Sequence, residues 1–373
     1  MVDWMFLAIQ ARTRQRVVLI RGKTTRWRVR ARIENLNCEE LDMSKRWMRK
    51  IQRICICALA ILFTGYVSQA YGQNDEKQLV LDTFEYEKDI VFKTVGTKKL
   101  DLVYFKPKNL KAGDKAPWML FVHGGGWRGG NKYNVLRSAF LGSLKQLTES
   151  GVACFTIRYR LTRNHVTAFD SVVDCKDAAR FLLKNAATYN LDSERYGVWG
   201  GSAGGHLSLM TALGKDADFI GEPTLADVAL NFKCVASYFP LTSLVNPDVL
   251  KGSKFEDPTV LRHVLDGLFS EKPELARLLS PVEYLTKTSP PILLLHGEKD
   301  PTLSIKNSLH MMDVAKEKGA DVELLTVKNA GHSFKGKKIS PSMEEINEAS
   351  AKFMISRLTG EKETPSTQED NRE

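Results

Sequence analysis

The sequence predicts an α/β domain, a mostly parallel sheet of about eight strands with helices over both faces. Three observations carry this. Short, continuous apolar runs recur along the chain, as strands buried on both faces require. Segments with helical spacing separate those runs. No repeat and no second linker interrupts the alternation, so about 300 residues read as one domain.

The elements follow in order along the sequence. After a polar linker (71–84), residues 90–95 and 100–105 read as two early strands. Residues 118–122 form an apolar run that ends at His123-Gly124-Gly125-Gly126, and 152–159 form another. Over 170–189, apolar or small residues fall at 173, 178, 181, 182 and 186, the spacing of one helix face. Residues 196–199 make a strand that ends in glycines, and 203–213 return to helix. Strands at 235–239 and 292–295, a helix over 303–318, a strand at 322–327 and a helix over 343–358 complete the domain, 85–358. The stretch 241–288 is rich in Pro, Lys and Asp, with one helical patch around 260–269. It reads as a small insertion covering one rim of the sheet. Residues 359–373 form a polar tail.

Composition is ordinary for a globular chain, 43% hydrophobic and 26% charged, which excludes collagen-like, disordered and membrane-bundle classes. The net charge of +10 raises nucleic acid or a membrane surface as a partner. Its placement argues otherwise. Residues 1–70 hold 14 Lys+Arg against five acids, leaving 40 basic and 39 acidic residues elsewhere. The rest of the chain is nearly neutral, and no nucleic-acid partner is expected of it.

Within that leader, Lys45, Arg46, Arg49, Lys50 and Arg53 precede an uncharged stretch over 54–67 and then Ser68-Gln69-Ala70. A basic region, an apolar core and a small-x-small site make a secretory signal peptide, 43–70, cut after Ala70 or Gly72. A membrane anchor is the alternative, but spanning hydrocarbon takes about 20 apolar residues. The expected location is therefore periplasmic or secreted, with no stable membrane insertion after cleavage. Residues 1–42 precede this signal, which fits translation starting at Met43. The alternative is a genuine basic arm. Outside the leader lie Cys154, Cys175 and Cys234, widely spaced and without a C-x-x-C pair. They read as buried free thiols, and no metal site is expected.

Four motifs stand at strand ends, where α/β sheets place their sites. Gly200-Gly201-Ser202-Ala203-Gly204 matches G-x-S-x-G between a strand and a helix. Glycines flanking the serine let the backbone turn sharply and lift the hydroxyl clear of the sheet. His123-Gly124-Gly125-Gly126-Trp127 can turn several N–H groups toward one point, as an oxyanion hole needs. A phosphate-cradling loop is the competing reading, but no G-K-[ST] or G-x-G-x-x-G spacing follows. His296-Gly297-Glu298-Lys299-Asp300-Pro301 and Gly331-His332-Ser333 complete the set.

A serine hydroxyl is a poor nucleophile until an imidazole can take its proton, and that imidazole needs a carboxylate to fix its tautomer. Ser202, Asp300 and His332 occur in the serine–acid–histidine order of hydrolases with a nucleophile elbow. Glu298 could stand in for Asp300. His123, His206 and His296 belong to the glycine motifs and brace backbone, while His165, His263 and His310 read as structural or solvated.

In this order the motifs resemble the α/β-hydrolase esterases with an HGGG oxyanion motif. They are most similar to bacterial carboxylesterases grouped with feruloyl and acetylxylan esterases (the BD-FAE type), over roughly residues 85–358. The resemblance implies a serine carboxylesterase without a cofactor. It assigns Ser202 as nucleophile, His332 as general base and acid, Asp300 as its orienting partner, and Gly125, Gly126 and Ala203 as oxyanion donors. Two departures stand out. Tyr159-Arg160-Leu161 is followed by Thr162-Arg163-Asn164 rather than Ala-Pro, unlike the hormone-sensitive-lipase branch. The histidine loop reads Gly-His-Ser-Phe where a second glycine is frequent.

The expected activity is hydrolysis of short or aromatic acyl esters of a carbohydrate or small alcohol, with Trp127 and His123 at the substrate. Lipase, peptidase or amidase activity on the same scaffold, and a non-catalytic ligand-binding homologue, are the alternatives. A base that works as neutral imidazole should lose activity as pH drops through roughly 6–7.

Overall fold

The computed structural model of the protein describes residues 78–360. The expectations for the leader, its signal and cleavage site, and for residues 361–373 of the tail lie outside the described residues. Eight strands form one sheet in the order β1-β2-β4-β3-β5-β6-β7-β8. They are β1 (Tyr86–Val95), β2 (Lys98–Phe105), β3 (Ala116–Val122), β4 (Ala153–Ile157), β5 (Leu191–Gly201), β6 (Val235–Tyr238), β7 (Ile292–Gly297) and β8 (Val322–Val327). The first two pair antiparallel, β2 joins β4 antiparallel, and the remaining pairs are all parallel. Strand β1 has two register shifts along its pairing with β2.

The apolar runs do what continuous runs must, feeding two cores at once. In β3, Trp118, Leu120 and Val122 face one cluster while Met119 and Phe121 face the other. Helices α2 (Ala168–Lys184) and α3 (Ala203–Leu213) close the first, and α1 (Ser138–Glu149) and α7 (Met343–Thr359) close the second. Helix α6 (Lys306–Lys318) lies on the first side through Met311 and Ala315.

Helix α1 has no counterpart among the elements expected from the sequence. Phe140, Leu144 and Leu147 do recur at helical spacing, but the helix has no side-chain N-cap and no acid in its first turn. Helix α2 starts two residues early, because the N–H of Thr167 donates to Asp170 Oδ2 at 2.9 Å in a capping box. The expected linker is also too long. Leu81 and Phe84 are buried, and Phe84 meets Phe105 edge-on at 5.2 Å, so the folded domain begins before residue 85.

The insertion over 241–288 carries more regular structure than one helical patch. Short turns of 3₁₀ helix at Pro247–Leu250, Pro258–Leu261 and Pro281–Tyr284 flank α4 (Arg262–Leu265) and α5 (Pro273–Leu278). Four of these five pieces open on proline, whose fixed φ and missing N–H suit the first turn of a helix.

Helix α2 also carries buried charge. Lys93 Nζ of β1 reaches Asp174 at 2.9 Å and Asp177 at 2.7 Å, and Arg160 Nε reaches Asp174 at 2.8 Å. Arg180 pairs with Asp177 at 3.3 Å. Lys176, also buried, donates to the carbonyls of Thr211 and Gly214, at 3.0 and 2.7 Å, capping the C-terminal end of α3.

Candidate active site

The loops that follow β3, β5, β7 and β8 bring the four motifs to the C-terminal edge of the parallel strands. Between β5 and α3 the chain turns through Ser202, which sits at φ 60° and ψ −123°. A non-glycine residue on that side of backbone space costs about 1–3 kcal/mol and persists only where its surroundings dictate it. Here the Ser202 N–H donates to Tyr238 O at 2.9 Å, and His206 N–H returns to Ser202 O at 3.0 Å as α3 begins. Gly204 admits the turn. A Cβ there would overlap the carbonyl oxygen of Val122 and lie 2.6 Å from the carbonyl carbon of His123.

His332 Nε2 lies 3.0 Å from Ser202 Oγ, and His332 Nδ1 lies 2.7 Å from Asp300 Oδ2. Asp300 is buried and its other oxygen accepts the N–H groups of Thr302 and Leu303, at 2.8 and 3.0 Å. Burial alone would raise its pKa. The imidazoles of His296 and His332 and the Thr302 N–H outweigh burial and hold the carboxyl well below the usual carboxylate range. An ionised carboxylate only accepts, so His332 Nδ1 carries a proton, and in the neutral ring Nε2 is left to accept the Ser202 hydroxyl. Phe239 packs across the His332 ring at 4.7 Å. Glu298 is exposed and its N–H bonds Val327 O at 2.9 Å, while Asp300 is the acid that meets the histidine.

The loop after β3 lies against the elbow. A Cβ on Gly124 would come within 3.3 Å of Ser202 Cβ. Gly125 and Gly126 take φ 129° and 59°, the first of them a conformation that L side chains rarely adopt. Gly125 O accepts from Gly129 N–H at 2.9 Å, folding the loop back on itself. Among the described residues, the N–H groups of Gly125, Gly126 and Ala203 meet no acceptor.

Trp127 and His123 are not substrate contacts, contrary to expectation. Each is 1% exposed. His123 stacks on Tyr159 at 4.3 Å and donates Nδ1–H to Gly124 O, while Tyr159 OH donates to His123 O. Trp127 Nε1–H donates to His206 Nδ1 at 3.3 Å, and His206 Nε2–H donates to Leu279 O at 2.8 Å. That chain ties the oxyanion loop, the nucleophile helix and the insertion together. Burial brings both histidines down to about 4, so both rings are neutral. His296 likewise braces its loop, with Nδ1 near Ser308 Oγ and Nε2 near Leu303 O, both at 2.8 Å.

His263 is the residue that the sequence reading undervalued. From the insertion, its Nε2 donates to Gly126 O at 2.9 Å, across 137 residues of chain. No local pattern marks such a contact, because it depends on where the insertion folds back.

A cavity of about 1100 Å³ lies elsewhere, between the insertion and Lys215 and Asp218 beyond the C-terminal end of α3. Its lining contains none of Ser202, Asp300 and His332. Among the described residues no group of three or more His, Cys, Asp or Glu is placed to hold a metal.

A nucleophile elbow on an eight-stranded sheet, with acid and histidine on the loops after β7 and β8, defines an α/β-hydrolase. The BD-FAE family model matches residues 100–314, and the chain belongs to that family. Esterase LipQ of Mycobacterium tuberculosis is 27% identical over 247 residues, covering 66% of this chain and 56% of LipQ. This chain spans about half the length of the curated relatives it matches. In fold it is similar to butyrate-bound esterase Est2 of Thermogutta terrifontis, with TM-score 0.60 and 23% identity over 75% of this chain and 96% of that one. It is also similar to a truncated carbohydrate esterase from gut microbiota, with TM-score 0.62 and 22% identity over 75% and 98% of the two chains.

Proposed function

We propose that the protein is an exported carboxylesterase that cleaves short or aromatic acyl groups from a carbohydrate or small alcohol through an acyl-enzyme on Ser202. The contact that carries this reading is the relay from Ser202 Oγ to His332 at 3.0 Å and on to Asp300 at 2.7 Å. Membership of the BD-FAE family and likeness to an esterase support it.

Ser202 Oγ attacks the ester carbonyl carbon and gives its proton to His332 Nε2. The carbonyl oxygen, now negative, lies among the N–H groups of Gly125, Gly126 and Ala203 at the positive end of α3. His332 passes its proton to the departing alcohol as the C–O bond breaks, leaving the acyl group on Ser202. Water then attacks, His332 takes its proton, and the acid leaves as that proton returns to Ser202 Oγ. Asp300 stays ionised and stabilises the imidazolium.

Hydrolysis of 4-nitrophenyl acetate by wild type and Ser202→Ala tests this. Loss of about 10⁴-fold or more is expected; equal rates overturn the reading. The export part rests on residues 45–70. The mature protein recovered outside the cytoplasm should begin at Tyr71 or Gln73, and a mature N-terminus upstream of residue 68 would overturn it.

A further inference from the structure

A cavity of about 680 Å³, within the size range of small-molecule sites, lies beside the oxyanion loop. Three consecutive carbonyls of that loop are tied to its lining. Gly126 O accepts from His263 Nε2 at 2.9 Å, Trp127 O from the Thr162 N–H at 3.0 Å, and Arg128 O from the Arg163 guanidinium. The loop that faces Ser202 is therefore also a wall of this cavity.

Its lining is cationic. Arg128, Arg163 and Arg262 stand against one carboxylate, Asp266, which His165 Nδ1 already meets at 2.9 Å. Glu271 reaches Arg262 at 3.3 Å, and no carboxylate among the described residues pairs with Arg128 or Arg163. Thr162 lines the same cavity at 3% exposure, fixed there by its N–H to Trp127 O. The 1100 Å³ cavity differs, since its cations Lys215 and Arg277 are matched by Asp218, Glu256, Glu274 and Glu283.

We propose that this cavity is a subsite for a carboxylate carried by the ester substrate, gripped by Arg128 and Arg262. The proposal rests on the ester-hydrolase reading and deepens it. Guanidinium groups present paired N–H donors that match the two oxygens of a carboxylate, which favours an anionic ester over its neutral counterpart of the same size. The carboxylate can belong to the acyl part or to the alcohol part, and two substrate pairs separate these cases.

The first pair is mono-4-nitrophenyl glutarate against 4-nitrophenyl valerate, with the charge on the acyl side. The second is 4-acetoxybenzoate against phenyl acetate, with the charge on the alcohol side. In wild type, kcat/KM should favour the anionic member of one pair. Arg128→Gln and Arg262→Gln should each lower that anionic-to-neutral ratio about tenfold, chiefly through KM, and 0.5 M NaCl should lower it too. Ratios that stay the same in wild type and both variants overturn the subsite. Wild type that cleaves none of the four esters would sink the esterase reading instead. Calorimetry on the unreacting Ser202→Ala protein then reads the subsite alone. Binding of glutarate or 4-acetoxybenzoate that weakens about tenfold on adding Arg128→Gln sustains it, and binding unaffected by that change overturns it.

Discussion

Asp300 and the pair Asp174 and Asp177 share deep burial and differ in their company. The side chains of all three are 0% exposed. Asp174 and Asp177 are held by Lys93, Arg160 and Arg180 together with the N–H groups of Arg160 and Glu222. Those ion pairs staple α2 to β1. Asp300 meets imidazole rings instead, and one of them opens on Ser202. A buried charge facing a fixed cation is architecture; one facing a ring that can gain and lose a proton can support chemistry.

Four measurements test this contrast. Asp300→Asn removes the acceptor that sets the His332 tautomer, so kcat on 4-nitrophenyl acetate should fall about 10⁴-fold, or about 5.5 kcal/mol. The melting temperature should move far less, and a large drop in it would place Asp300 with the structural cluster. Asp177→Ala should do the reverse. Lys93 keeps Asp174 and Arg180 keeps Asp216, so losing the shared carboxylate costs about 1.5–3 kcal/mol of stability, visible in urea midpoints, while molecules that remain folded keep kcat within a few-fold.

The third measurement is stability against pH. His123 and His206 lie near 4 when folded, against about 6.5 in an unfolded chain. Both values are depressed, so as pH falls from 6.5 to 4 the unfolded chain binds protons that the folded chain refuses. Stability therefore falls through that window, by about 3 kcal/mol per ring at its lower end. Asp300, depressed as a carboxyl, withdraws its own contribution only as pH drops below about 4. Urea midpoints unchanged between pH 7 and 4.5 would contradict the neutral, sealed rings. The smallest effect belongs to His263→Phe, which removes one hydrogen bond to Gly126 O. It should lower kcat on a neutral ester about 2- to 10-fold, and an unchanged kcat would show that the insertion does not steady the oxyanion loop.

The parts legible in the sequence were those governed by local rules. Strand runs such as 118–122 and 322–327, the helix over 203–213 and the glycine-flanked Ser202 are each specified by a few neighbouring residues. So is the order of Ser202, Asp300 and His332, each on the loop after a different strand. The acidic network on α2 was not legible. Periodicity finds the apolar face through Val173, Ala178 and Leu182, but it cannot tell that Lys93 from β1 will cover Asp174 and Asp177. For the same reason Trp127 and His123 were misread as substrate contacts. Adjacency to a glycine loop in sequence does not say whether a ring faces the cleft or, as here, Tyr159 and His206. His263 and the cationic cavity depend on the fold-back of 241–288, whose proline-started turns were visible one by one and not as an arrangement.

The register shifts in β1 reach beyond the fold. A free strand edge offers unpaired N–H and C=O groups to any second chain, and flat edges recruit partners into aggregates. Strand β1 carries irregular pairing after Glu87 and after Val91, a left-handed Asp89, and exposed charge at Glu87, Lys88 and Asp89. An approaching strand finds no continuous ladder to extend there, and would have to strip water from those charges to try. This margin of the sheet is thereby a poor template for edge-to-edge growth.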